Sequence, residues 1–168
     1  MRFIALLLLL GAISKEQQID FELKNLKFKG LEFSTTKEAI VGAVGQGRRI
    51  ETNYECGFFS NDQEGGPYYQ LMYANFNYIG SDKEKTFYLE HVNFDADGSI
   101  KLMYLKSELT GRTTVSEFAG LFGERAKEIV VELRDDNSIL LYSKSSDDGA
   151  VFRFRNGRLF EFQYWTPC

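Results

Sequence analysis

The chain is poor in the residues from which most catalytic and metal sites are built. Its 168 residues include one histidine, two cysteines, two prolines and one tryptophan. One histidine, His91, leaves a single imidazole for any triad, and two cysteines with no histidine nearby make a poor metal set. The P-loop, His-Glu-x-x-His, Cys-x-x-Cys and Gly-x-Ser-x-Gly signatures are missing. The glycines of Gly42-Ala-Val-Gly45-Gln-Gly47 close an expected helix, whereas a dinucleotide loop opens one. No later stretch approaches 18 apolar residues, so no transmembrane helix is expected. Positive charge is not in excess either: 20 Lys plus Arg stand against 24 Asp plus Glu, net −4. This argues against a nucleic-acid partner held through its phosphates. No cofactor, no metal and no catalytic residue is expected.

Residues 1–14 read MRFIALLLLLGAIS. Arg2 is a minimal positive start, and Phe3 to Ile13 is an apolar run of 11 residues, too short to span a bilayer. Ala12 and Ser14 fit an A-x-A-like cleavage site, and Lys15-Glu16-Gln17-Gln18 turns abruptly polar. The segment reads as a signal peptide, which places the mature chain in the periplasm or outside the cell. In an oxidising compartment Cys56 and Cys168 are the one candidate disulfide; the other reading is two unpaired small hydrophobes.

Aromatic residues are abundant, with fifteen Phe and nine Tyr, which suits sheet-rich structure. The segment 31–45, LEFSTTKEAIVGAVG, aligns without gaps on 109–123, LTGRTTVSEFAGLFG, at an offset of 78. Leu31, Thr35-Thr36, Gly42 and Gly45 match Leu109, Thr113-Thr114, Gly120 and Gly123. Each copy predicts a short helix with a threonine N-cap and a glycine at its C-terminal end. Ile40 and Val44 in the first copy, and Phe118 and Phe122 in the second, fall at core-facing spacing.

Strands are expected at 49–60, 68–79, 87–94 and 100–105 in the first copy, and at 128–134, 139–144, 151–155 and 158–165 in the second. The fold class is therefore α+β: two tandem helix-plus-antiparallel-meander repeats forming a curved sheet with helices on one face. Residues 1–14 form the signal peptide, 15–30 an N-terminal extension, 31–108 the first repeat and 109–168 the second. For the last hairpin we expect a three-residue turn with Gly157 as a bulge, pairing Phe152 with Phe160. That register puts Phe152, Phe154, Phe160, Phe162 and Tyr164 on one face, worth about 1.5–3 kcal/mol per large side chain buried. Asn93-Phe-Asp95-Ala-Asp97-Gly98 matches the start of a calcium loop, but position twelve is Tyr104, so a hairpin turn accounts for it better.

The helix motif at 31–45 and 109–123 resembles that of the beta-lactamase-inhibitor-protein-like fold, and is similar to the SmpA/OmlA group of small envelope proteins. Gln46 and Glu124 stand where those proteins usually have proline after the helix-ending glycine. The resemblance implies a non-catalytic, protein-binding role. With the leader, it gives an exported binding protein that engages a protein partner through an open aromatic sheet face. The expected contact residues are Tyr68, Tyr69 and Tyr73, because Gly65-Gly66-Pro67 sets them at a loop edge. The alternatives are an envelope structural or assembly component, or a small secreted enzyme or glycan-binding module. His91 lies mid-strand with no partner evident in the sequence.

Overall fold

The structure, a computed structural model, describes residues 21–60, 62–123 and 138–168. The expected signal peptide at 1–14 and the expected strand at 128–134 lie outside the described residues. The protein is α+β, with two helices and two antiparallel sheets among the described residues.

Both helices form where their capping residues predict. Helix α1 (Lys37–Val44) starts after Thr36, whose side chain accepts a hydrogen bond from the Ala39 N–H. Helix α2 (Val115–Phe122) starts after Thr114, which forms a reciprocal capping box with Glu117. Each helix ends at a glycine of positive φ, Gly45 at 81° and Gly123 at 79°, a conformation that L side chains rarely adopt. Ile40, Phe118 and Phe122 are buried, and Val44 is half-buried against the core.

The large sheet contains β4 (Arg48–Glu51), β5 (Tyr69–Met72), β6 (Phe76–Gly80) and β7 (Phe87–Asn93) as one meander. A second meander contains β10 (Ser138–Tyr142), β11 (Gly149–Arg155) and β12 (Arg158–Trp165). The two join where β12 pairs antiparallel with β7, through Phe162↔Val92 and Gln163↔His91. The short strand β3 (Ser34–Thr35) also pairs with β7. A separate four-stranded sheet is built from β1 (Leu26–Phe28), β2 (Leu31–Glu32), β8 (Lys101–Tyr104) and β9 (Ser107–Thr110), in the order β2-β1-β8-β9.

Register decides which face of the large sheet carries the core. Phe152↔Phe162, Phe162↔Val92, Val92↔Phe76, Tyr78↔Leu89 and Leu71↔Tyr78 put one apolar set on one face. Phe118 of α2 packs on Phe152 at 4.8 Å between ring centroids, and Lys37 of α1 reaches Tyr69 on the same face. The small sheet closes the core from the same side, with Phe28 on Phe76 at 5.0 Å and Tyr104 on Phe122 at 5.0 Å.

Several strand expectations are corrected. The run 68–79 is two strands, because Tyr73 N–H donates to Phe76 O across a tight turn at Ala74-Asn75. A straight strand would leave one of its two apolar faces without cover, and the turn folds Leu71 beside Tyr78. Of 49–60 only the start is strand. Pairing extends one step past Glu51↔Tyr69, through Thr52 N–H to Tyr68 O, and then meets Pro67, which has no N–H to give. The strand at 100–105 leaves the meander altogether. Asp95–Ser99 is a corner between sheets rather than a hairpin, and Asp95 accepts from the Ile100 N–H and the Ser99 hydroxyl while Asp97 accepts from the Ser99 N–H. The boundaries drawn at 30/31 and 108/109 each fall inside a hairpin, β1–β2 and β8–β9.

The last hairpin differs too. Arg155↔Arg158 closes a two-residue turn, with Asn156 at φ 52° and Gly157 at φ 73°. The bulge sits one step inside the strand at Phe160, and it restores Phe152↔Phe162. Leu159, not Phe160, joins the buried face, and Phe160 lies under the Arg155 guanidinium at 4.3 Å.

Candidate functional site on the open face of the large sheet

Opposite the core, one row of residues crosses the whole large sheet. The registers link Leu140, Val151, Gln163, His91, Asn77, Met72 and Arg48 in sequence, strand by strand. His91 is at its centre. The pairing of β6 with β7 slips between Asn77 and Tyr78, leaving Glu90 as the bulged residue beside His91.

Two polar clusters flank the row. Glu90 is 8% exposed and accepts hydrogen bonds from Tyr54 Oη, Gln70 Nε2 at 2.8 Å and Asn77 Nδ2. Three neutral donors thus hold a buried carboxylate. Burial, reinforced by the Glu90 charge, holds the Tyr54 phenol well above its ordinary range, so Tyr54 remains a donor. In the second cluster Glu161 Oε1 meets His91 Nε2 at 3.2 Å and the Arg153 guanidinium, and Arg153 also donates to Gln163 Oε1 at 2.8 Å. Arg153, Arg155, Glu161 and Gln163 of the last hairpin thus lie on this open face, with Arg155 exposed and the other three half-buried.

The segment 52–60 crosses this face as a strap. Cys56 and Cys168 are bonded, with Cα atoms 5.1 Å apart, so the disulfide reading of the pair holds. The bond ties the strap to the end of the chain. Phe59 packs under the strap on Tyr68 and Tyr164 at 5.4 and 5.7 Å, and Tyr54 caps Glu90.

The three tyrosines expected at the surface are corrected. Tyr68 is 2% exposed and Tyr69 1%, because the strap covers the first and the second faces the core against Phe87. Burial, with help from Glu84, pushes the Tyr68 phenol up to about 12. Tyr73 is half-buried; it stacks on Phe76 at 4.5 Å and donates to Gly45 O at the end of α1. The exposed large aromatics lie elsewhere: Tyr54 at 40%, Phe58 at 42% and Tyr142 at 52%. Tyr142 meets Trp165 edge-on at 5.5 Å at the β10 end of the open face. Period-two alternation within 138–142 could have located Tyr142. Nothing local marks Tyr54 or Phe58, which depend on where the strap runs.

His91 has a partner after all, Glu161, supplied by a strand seventy residues away. The described residues contain no group of three or more His, Cys, Asp or Glu able to hold a metal, and no helix long and apolar enough to cross a membrane. Comparison with family models, curated proteins and solved structures found no match.

Proposed function

We propose that the chain is an exported, non-catalytic binding protein that engages a protein partner through the open face of its large sheet. The observation that carries this reading is the grouping of exposed aromatics. Among the described residues Tyr54, Phe58 and Tyr142 are three of the four exposed large hydrophobics, and all three border that face. Exposed aromatics around polar groups that already have partners are the usual anchors of protein interfaces. The leader-like 1–14 segment and the Cys56–Cys168 bond support export. In this reading α1 with β4–β7 and α2 with β10–β12 are two divergent copies of one unit, joined at β7–β12, as in the tandem inhibitor-like fold. The matched caps at Thr36 and Thr114 and the matched glycines at 45 and 123 support it.

The test is capture from the producing organism's envelope fraction, comparing the wild type with a Tyr54→Ala/Phe58→Ala/Tyr142→Ala variant. The reading expects a protein retained by the wild type and lost by the variant, with thermal unfolding of the two closely similar. A protein retained equally by both would overturn it, and saturable glycan binding lost in the variant would make the face a glycan platform instead.

A further inference from the structure

The small sheet carries a second feature, distinct from the open face. A cavity of about 700 Å³ opens where the turn at residues 23–25, strand β1 and the β8–β9 hairpin meet. Lys24, Lys27 and Lys106 reach it from these three elements, against one carboxylate, Glu32. Lys27 is paired with Glu32 at 2.6 Å. Lys24 makes no close ion pair among the described residues, but, after the hydrogen bond from Ser145, its charge helps hold the Glu22 carboxyl below its ordinary range, and Lys106 makes no ion pair among the described residues. A local excess of positive charge on a chain of net −4 is a feature of this place and not of the whole surface. The same cavity is lined by Leu105 and Leu121. Leu105 is 52% exposed, the fourth of the exposed large hydrophobics among the described residues. Its φ is 54°, in the left-handed region that favours glycine, so the hairpin tip holds an apolar side chain in water at a conformational cost. A glycine or asparagine would close this turn with less strain, and would be less apolar.

We propose that this cavity binds an anionic amphiphile, a phosphate or carboxylate head joined to an acyl chain. Lys24, Lys27 and Lys106 surround the head, and Leu105 with Leu121 takes the start of the chain. The two halves of the lining account for each other in this way. Three cations against one carboxylate in the lining call for an anion, and a strained, exposed leucine beside them calls for an apolar segment attached to it. A bare inorganic anion would leave Leu105 without a role, and an uncharged lipid would leave the lysines without one.

The experiment uses the mature disulfide-bonded protein and short-chain phosphatidylglycerol held below its micelle concentration. Short-chain phosphatidylcholine and inorganic phosphate are the controls, and calorimetry is the readout. A second arm measures cosedimentation with phosphatidylglycerol–phosphatidylcholine vesicles and with phosphatidylcholine vesicles. Saturable binding of the monomeric anionic lipid supports a ligand taken up singly, and binding to the anionic vesicles alone supports the same chemistry at a membrane surface. In either case Lys24→Gln/Lys106→Gln should weaken binding about thirtyfold, near 2 kcal/mol at about 1.4 kcal/mol per tenfold. Leu105→Gly should also weaken it while leaving the melting temperature unchanged or higher, because the substitution relieves the left-handed φ. That variant separates loss of a ligand contact from loss of fold. Equal binding of phosphatidylcholine, inorganic phosphate binding as tightly as the lipid, or affinity unchanged in both variants would overturn the proposal.

Discussion

Gly42 and Gly120 sit at equivalent places in the two helices, and their identity is part of the match between the two segments. Neither has a packing reason to be glycine: a Cβ built on either meets nothing within 4 Å, and neither has a positive φ. Mid-helix glycine costs about 0.5–1 kcal/mol relative to alanine. Gly42→Ala and Gly120→Ala should each raise stability by about that amount in urea unfolding, and a loss at either site would mean that the position is constrained by something outside the described contacts. Charged residues are less interchangeable. Lys37 has the look of a solvated helix residue, yet its ammonium donates to Tyr69 Oη at 2.9 Å and pairs with Asp82 at 3.0 Å. The hydrogen bond from Tyr69, then Lys37, holds the Asp82 carboxyl below its ordinary 3.8. A depressed carboxylate stabilises the fold above its unfolded value and loses that contribution as pH falls through the folded one. The stability gap between wild type and Asp82→Asn should therefore be open near neutral pH and narrow as pH falls below the ordinary carboxylate value of 3.8. A gap that persists in acid would show that the network acts through shape alone. Half the Asp82 side chain is exposed, so the gap should be small.

The two helices share a cap but differ in how completely it is made. Position 39 in α1 is alanine and can only donate its backbone N–H to Thr36, whereas Glu117 in α2 also returns a bond to the Thr114 N–H. These bonds hold Glu117 below its ordinary range. Replacing an N-cap threonine by alanine costs about 0.5–2 kcal/mol. Thr114→Ala should fall in the upper part of that range and Thr36→Ala in the lower, as read from chemical unfolding midpoints; the reverse order would mean that the capping box adds nothing. Strands behave differently from helices in this chain. Each helix begins and ends where its own residues dictate, but the strand at 68–79 divides, the strand at 100–105 changes sheet, and the last hairpin moves its bulge from Gly157 to Phe160. The tight turn was available, since Asn156 and Gly157 both tolerate positive φ. What decided the bulge was the need to return Phe162 to the buried face beside Val92.

At the scale of the molecule, the chain is closed by Cys56–Cys168, which spans a separation of 112 residues. In the chain-entropy account a loop of that length stabilises by about 4–5 kcal/mol, which is comparable to the whole stability of a marginal domain. Reduction, or Cys56→Ser/Cys168→Ser, should lower the free energy of unfolding by about that amount, less any residual structure in the unfolded chain. The loss should fall first on the strap, so Tyr54 fluorescence and amide exchange of 52–60 should report it before the core does. A reduced protein of equal stability would show that the strap's non-covalent contacts, Phe59 on Tyr68 and Tyr164 and Tyr54 on Glu90, suffice to fix it. The open face depends on this arrangement, because both Tyr54 and Phe58 are presented by the strap.

The sequence by itself determined what depends on neighbours within one or two turns of chain. The α+β class, both helices with their caps and terminal glycines, and the burial of Ile40, Phe118 and Phe122 were all legible, as was the place of the last turn but not its two-residue form. Capping, left-handed φ and 3.6-residue periodicity are local properties, each written in a few adjacent side chains. The tertiary structure alone decided which strands meet. Nothing near Leu26 specifies Tyr104 as its partner, and nothing near His91 specifies Gln163 and Glu161. An alternating strand states that it has an inside and an outside, but not which strand lies beside it or what covers its outer face. Tyr68 and Tyr69 were therefore misjudged as surface residues although their strand was recognised. Their exposure was settled by a strap held from the far end of the chain and by a core assembled from both sheets.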